Sequence, residues 1–357
     1  MGNRFGIFIV FLALGCLGLN SCQSAISRTG EESSGPRRNI VTSENKIDGV
    51  AFVSPPNKIG DKEAGYILES NAGWVEYIPY GYCYPNNASV KYDVNFQWWG
   101  ERFNGTREMI RSAKRKGLKV LVKPHLWVIG QGWAGELKMS NEKDWEAWEA
   151  GYTEYIMTFA RMAEEEGVEM FCVGTELKAV TQNRPQFFGD LADEVRTVFS
   201  GKVIYASNWD NYEFIKFWDR MDYIGVDGYF PLVNNNTPQV DELIKAWDKE
   251  KGKLKAASEK LGKPVLFSEW GYLSMDRCGW NSWELEENPG AFALNLDAQR
   301  NCYEAFFKAL WDEPWFAGGF VWQWYCDLPN AGGTNDKDHT PQNKPAFEVL
   351  KEWYGKQ

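Results

Sequence analysis

The chain has 357 residues, 44% hydrophobic and 25% charged, the proportions of a globular protein with length for one large domain or two ordinary ones. Its 39 Lys and Arg against 49 Asp and Glu leave a formal charge of −10, and without a basic cluster in the folded part this argues against a nucleic-acid groove. Two histidines, His125 and His339, with no Cys-x-x-Cys pair and no glycine-rich phosphate loop, argue against a metal centre or a nucleotide site, so no metal or cofactor is expected.

The first 22 residues, MGNRFGIFIVFLALGCLGLNSC, carry Arg4 and then an apolar stretch from Phe5 to Leu19. That stretch is short of the about 20 residues of a membrane span and fits a secretory core region. It ends in Leu19-Asn20-Ser21-Cys22, which resembles a bacterial lipoprotein signal, so cleavage before Cys22 would leave that cysteine to carry lipid. An ordinary signal peptide with an incidental cysteine and a simple membrane anchor are the alternatives. Residues 1–21 are read as the signal and 22–45, polar and Ser/Gly-rich, as a flexible tether. Residues 46–357 are read as one folded domain. The expected location is outside the cytoplasmic membrane, on the periplasmic or cell-surface side, with lipid as the sole membrane contact. Export permits disulfides. The domain has five cysteines, Cys83, Cys172, Cys278, Cys302 and Cys326, an odd number that leaves at least one unpaired within the chain. Cys278 and Cys326, both in expected loops, are a candidate pair.

From residue 46 short apolar runs alternate with amphipathic stretches. The runs cover 46–55, 74–82, 118–128, 169–177, 202–208, 221–229, 264–272 and 316–324, several of them nearly continuous, as in parallel strands covered on both faces. Between them, TREMIRSAKRKG closes on basic residues and Gly117, and 141–167 spaces Trp145, Trp148, Tyr152, Tyr155 and Ile156 near the helical period. The segments DELIKAWDKEKGKLKAASEKLG and NLDAQRNCYEAFFKALW repeat the pattern. Eight strand–helix alternations over about 310 residues predict an α/β fold, a single (β/α)8 TIM barrel of about 250 residues plus insertions. A doubly wound open sheet is the competitor, but it seldom needs eight such units.

Active sites of such barrels lie at the C-terminal ends of the strands. There the sequence places Lys123, His125 and Trp127 on the third strand, Glu176 on the fourth, and Asn208 and Trp209 on the fifth. Asp227 and Tyr229 end the sixth, Glu269 the seventh, and Trp322 and Trp324 the eighth. An ionised glutamate ending a buried strand is costly unless paired or used. Two such carboxylates facing one another are the equipment of glycoside hydrolysis, and 18 Trp, 21 Phe and 16 Tyr favour a carbohydrate ligand, although such rings also fill cores. Salt bridges to interior Lys or Arg are the alternative for either glutamate. Trp133, in GQGWAG, is either an outer sugar platform or loop packing, and NDKDH at 335–339 reads as a solvated turn rather than a calcium loop.

The motifs KPHLWV, VGTEL and VLFSEWGY resemble glycoside hydrolase family 113, within the clan of retaining (β/α)8 enzymes called clan A, and the resemblance covers nearly all of residues 46–354. Known members of that family chiefly cleave β-1,4-mannan. The resemblance implies Glu176 as acid/base and Glu269 as nucleophile. It implies Tyr229 as the nucleophile's hydrogen-bond partner, Trp322 as the platform under the sugar at the cleavage point, and His125 lining the same pocket. Trp270, Asn208 and Lys123 complete the expected substrate-binding set, Lys123 having an interior charge partner as its alternative role. Thr175 stands where many clan members carry an Asn that binds the sugar 2-hydroxyl, which leaves that contact open. The expected partner is a polysaccharide or oligosaccharide. Cleavage of another β-linked glycan such as β-glucan, and a surface lipoprotein that binds polysaccharide without cleaving it, are the other readings.

Overall fold

In the computed structural model, which describes residues 46–356, the apolar runs pair in parallel and close on themselves. The expected signal peptide, the tether and Cys22 lie outside the described residues. In chain order the strands are β1 (Ile47–Phe52), β2 (Trp74–Tyr77), β3 (Tyr80–Cys83), β4 (Lys91–Tyr92), β5 (Lys119–Val122) and β6 (His125–Val128), then β7 (Met170–Thr175), β8 (Lys202–Asn208), β9 (Ile224–Asp227), β10 (Val265–Trp270) and β11 (Phe316–Trp324). The barrel order is β1-β2-β5-β7-β8-β9-β10-β11, with β11 pairing back onto β1. Ile47, Ala51, Leu121, Met170, Cys172, Ile204, Leu266 and Phe320 fill the barrel's interior, and a larger apolar layer joins its outer face to the helices. This is the (β/α)8 barrel that the alternation predicts.

The helices are α1 (Asp61–Ile67), α2 (Phe103–Arg115), α3 (Glu142–Glu165), α4 (Lys178–Asn183), α5 (Phe187–Val195), α6 (Val240–Leu261), α7 (Ser282–Glu287), α8 (Leu296–Phe306) and α9 (Pro345–Tyr354). Helix α3 begins where Asn141 accepts the Asp144 backbone N–H at 3.1 Å, the bond expected of an N-cap. Its Trp148, Tyr152, Tyr155 and Ile156 are buried along one side, as their spacing requires. Helix α6 ends at Gly262, whose φ of +65° is cheap only for glycine. No helix of the described residues is long and apolar enough to cross a membrane.

Two expected strands are each two. The run at 74–82 breaks at Pro79 and the run at 118–128 at Pro124, because proline has no N–H to give a ladder. Past those breaks β3 and β6 leave the barrel and pair in parallel with each other, with β4 on the other edge of β3. Tyr80 stands opposite His125 and Tyr82 opposite Trp127. These four are the more exposed residues of their strands, while Gly81, Cys83, Leu126 and Val128 are buried. The period-two alternation of a strand thus turns one aromatic face toward the barrel mouth.

The candidate pairing of Cys278 with Cys326 is not formed; Cys278 Sγ lies 3.8 Å from Cys302 Sγ instead, both thiols buried and free.

Candidate active site

The floor of the mouth is a buried charge cluster drawn from four barrel strands and the residues just past them. Lys123, fully buried one residue beyond β5, places Nζ 2.6 Å from Glu269 Oε1, 3.3 Å from Asp227 Oδ1 and 3.6 Å from Glu76 Oε1. Three carboxylates around one ammonium cannot all be charged away from water. Burial opposes the charge on Lys123, but the surrounding carboxylates reverse this and hold its pKa well above the usual value. Burial also opposes ionisation of Glu269, yet the charge of Lys123 and the donors Lys123 and Tyr229 outweigh it and hold its pKa below the carboxylate range. Burial pushes Asp227 up to about 7 and Glu76 well above its ordinary value, only partly relieved by Lys123. Glu269 therefore takes the negative charge first, while Glu76 stays neutral and Asp227 ionises only at about pH 7. Between Phe267 and Glu269 the register of β10 shifts against β9, the kind of irregularity that re-aims side chains. Ser268 and Glu269 can then both turn inward, Ser268 Oγ donating to Asp227 Oδ1 at 2.8 Å and Glu269 accepting from Lys123.

Tyr229 OH donates to the other oxygen of Glu269 at 2.9 Å. His125 Nε2 lies 3.5 Å from Glu269 Oε1, too far for a good bond, and is buried without a partner. Burial and the adjacent Lys123 push this imidazole down to about 3, so it is neutral. Glu76, His125 and Glu269 bring potential ligand atoms within 4.8 Å of one another, but the Lys123 ammonium already supplies positive charge there.

Glu176 follows the last residue of β7 and faces the same mouth. Its φ is +52°, a left-handed conformation that usually costs a non-glycine residue about 1–3 kcal/mol. The neighbouring bonds hold it: its N–H donates to Ala206 O at 2.8 Å, and Leu177 N–H donates to Tyr205 OH at 3.1 Å. The carboxylate receives Trp133 Nε1–H at Oε2, 2.6 Å away. Desolvation, then the charges of Asp227 and Glu269, push Glu176 up to about 8 against the smaller opposing effects of Trp133 and Lys123. One glutamate is thus held ionised and the other protonated near neutral pH.

Beside the pair opens a cleft of about 390 Å³ whose walls include Tyr80, Tyr82, Phe96, Trp98, Trp127 and Trp322, with Glu101 and Gln323 among its polar groups. The Tyr80 ring lies 5.5 Å from the His125 imidazole, which joins the cleft to the charge cluster. Tyr82 OH donates to Glu101 Oε2 at 2.9 Å. Six aromatic rings around an open groove suit the apolar faces of sugar rings.

The structure brings Glu176, Glu269, His125, Tyr229 and Trp322 to one mouth. Thr175, the last residue of β7, is buried, and its hydroxyl lies 3.9 Å from Cys172 Sγ. Asn208, half-buried, accepts the Trp209 N–H at 2.9 Å and is opposite Asp227 in the ladder. Two expectations are corrected. Trp270 presents no face to a sugar: it is 1% exposed and stacks on Phe306 at 3.7 Å, on the outer side of β10. Lys123 is fully buried and takes the role of interior charge partner rather than substrate ligand. Trp324 is likewise core, packed on Phe347, and Trp209 stacks on Trp283. The NDKDH turn is tied to protein rather than solvated, Lys344 Nζ meeting Asp336 at 2.7 Å and Tyr325 OH meeting Asp338 at 2.6 Å.

Sequence reading missed Tyr80, Tyr82, Phe96, Trp98, Glu101 and Glu76. A proline followed by tyrosines two apart was the available signal for the first pair, and a carboxylate inside the apolar WVEYI run was the signal for Glu76.

No curated protein sequence matches the chain. Among solved structures it is similar to a GH113 β-mannanase from Alicyclobacillus acidocaldarius, at 26% identity and TM-score 0.75, covering 87% of this chain and 98% of that one. A second similar structure, titled a GH113 β-1,4-mannanase complex, has 26% identity and TM-score 0.73 over 88% of this chain and 100% of that one. A β-glucuronidase from Faecalibacterium prausnitzii shares the fold at 15% identity and TM-score 0.57, over 87% of this chain and 49% of that one. The sequence profile of Glycoside Hydrolase Family 113 matches residues 83–344, and the chain belongs to that family.

Proposed function

We propose that the chain cleaves β-1,4-linked mannan or manno-oligosaccharides with retention of configuration, Glu176 acting as acid/base and Glu269 as nucleophile. The observation that carries this is the opposite setting of two glutamates at one barrel mouth, Glu269 held ionised by Lys123 and Tyr229 and Glu176 held protonated by desolvation. In the first step the Glu269 carboxylate attacks the anomeric carbon. The bond to the glycosidic oxygen breaks as that oxygen takes the Glu176 proton, leaving a glycosyl ester on Glu269. In the second step Glu176, now ionised, takes a proton from water, whose oxygen attacks the same carbon and frees Glu269. His125 Nε2, buried and unpartnered beside Glu269, is available to a sugar hydroxyl. Mannan is favoured by the similarity to two structures named as β-mannanases.

The tests separate chemistry from specificity. Glu176→Gln and Glu269→Gln should each lose nearly all activity with unchanged circular dichroism, and near-normal rates in either would refute the assignment. Proton NMR of the first-formed product should show the β-anomer; an α-anomer would exclude retention. Ratios of kcat/KM on matched manno- and gluco-oligosaccharides decide the substrate, and faster turnover of the gluco series would replace mannan with β-glucan.

We further propose that the protein is exported and held at the membrane through lipid on Cys22, supported by the apolar stretch from Phe5 to Leu19 and the Leu19–Cys22 motif. Cys22→Ala should move it out of the membrane fraction, and an unchanged distribution would count against the anchor.

A further inference from the structure

The loop between β6 and α3 is shaped around one indole. Gly130 and Gly132 adopt φ of +81° and +86°, values that L side chains rarely adopt. Trp133 follows, and a helical turn over Ala134–Glu136 brings the chain to the fully buried Leu137. A side chain at Gly135 would put its Cβ 2.3–2.5 Å from three carbons of the Trp133 ring, so the ring lies directly over bare backbone. The Gln131 side chain donates to Trp133 O at 3.2 Å. The turn also packs against α4, the helix that starts two residues after Glu176. The result is an indole 39% exposed whose N–H is spent on Glu176 Oε2.

Packing alone does not need that bond, since an exposed indole N–H can be satisfied by water. Among the described residues no other side chain donates to the Glu176 carboxylate. Asp227, Glu269 and Lys123 face it from the ends of β9, β10 and β5, and the phenols of Tyr205 and Tyr229 lie near enough to feel its charge.

We propose that Trp133 is a positioning residue acting through Glu176, and that the exposed face of its ring is the platform for the departing sugar. Its N–H occupies Oε2, so the proton of the acid form sits on Oε1 and points away from the loop. The first step then moves that proton from Oε1 to the glycosidic oxygen, and the second returns a proton from water to Oε1. The donor is uncharged, so it aims the carboxyl without forcing it to ionise. This rests on the acid/base reading of Glu176.

The test pairs Trp133→Phe, which keeps a ring and loses the N–H, with Gly135→Ala, which keeps the indole and displaces it. With manno-oligosaccharides, Trp133→Phe should lower kcat by about 10- to 100-fold with KM nearly unchanged. Because the N–H favours the ionised carboxylate, its loss should move the alkaline limb of the pH profile upward by about half to one unit. The same variant should lose far less on a dinitrophenyl glycoside, whose leaving group needs no proton. Gly135→Ala should reproduce the fall in kcat and also raise KM. An unmoved alkaline limb together with equal losses on both substrates would overturn the proposal. Glu176→Ala distinguishes the two levels. If it hydrolyses oligosaccharides normally, the acid/base reading itself fails. If it is inactive on oligosaccharides and azide speeds its turnover of the dinitrophenyl glycoside with a β-glycosyl azide product, while Trp133→Phe stays silent, only the role of Trp133 falls.

Discussion

Replacing Lys123 with Met removes the one cation from a cluster that holds Glu76, Asp227 and Glu269. At the 2.6 Å between Nζ and Glu269 Oε1, Coulomb's law with an effective dielectric of about 20 gives an attraction of about 6 kcal/mol. Desolvation of both partners offsets part of it, and breaking such a buried pair typically costs about 3–5 kcal/mol. That figure is a cost to folding; for Glu269 itself the change is upward, because the charge that favours its ionised form is gone. The sign follows from the direction of the native shift. Glu269 is held below its ordinary pKa, so its stabilising contribution is present at neutral pH and is lost as pH falls through the folded value. Without Lys123 the proposed nucleophile is protonated over a wider acidic range, and the acid limb of kcat/KM moves upward. A dinitrophenyl β-mannoside substrate isolates this limb, because its departure does not need the Glu176 proton. Glu76→Gln is the control, because a carboxyl that is already neutral changes little on becoming an amide, and its limb should stay in place. An acid limb that stays put in a folded Lys123→Met protein would refute the claim that Lys123 sets the charge of Glu269.

Tyr229→Phe removes one hydrogen bond to an ionised carboxylate, worth about 1.5–3 kcal/mol, and should lower kcat/KM by about 10- to 100-fold while raising the acid limb; a rate within twofold of wild type would count against it. Trp322→Ala should raise KM for oligosaccharides and leave the melting temperature almost unchanged. Trp270→Ala should do the reverse, costing about 3–5 kcal/mol as a buried aromatic is truncated, so a selective KM effect at Trp270 would restore it to the binding surface. Burial, only partly relieved by backbone donors and Lys119, raises Asp48 to about 7, so its contribution to stability is present below about pH 4 and is lost as pH rises through about 7. Asp48→Asn should therefore gain on wild type in thermal melts at pH 8 relative to pH 5, and a gap that does not widen would exclude this.

Local features were the legible ones. An apolar run ending in glutamate can be read in sequence because burial and charge conflict within a few residues, and both Glu176 and Glu269 announced themselves so. The barrel was legible for a similar reason, since its strands and helices have separate periods. The two proline breaks were visible letters whose consequence was not, because what β3 and β6 do after leaving the barrel depends on their finding each other. Trp270 misled because adjacency to Glu269 in sequence says nothing about which way a side chain leaves the strand; it turns outward beside a carboxylate that turns in.

What no local pattern carries is the difference between the two glutamates. Each ends a barrel strand and each is desolvated, so although the family resemblance of VGTEL and VLFSEWGY implies the roles, nothing in the local burial or charge says which should hold a proton. The distinction comes from partners remote in sequence. Glu269 receives an ammonium from the end of β5 and a phenol hydroxyl from beyond β9, while Glu176 receives a neutral indole N–H from the loop after β6. A cation beside a buried carboxylate favours its charged form strongly; a neutral donor favours it weakly and leaves desolvation in control. The charge of Lys123 and the neutral N–H of Trp133 therefore set the two carboxyls apart, beyond the burial that they share.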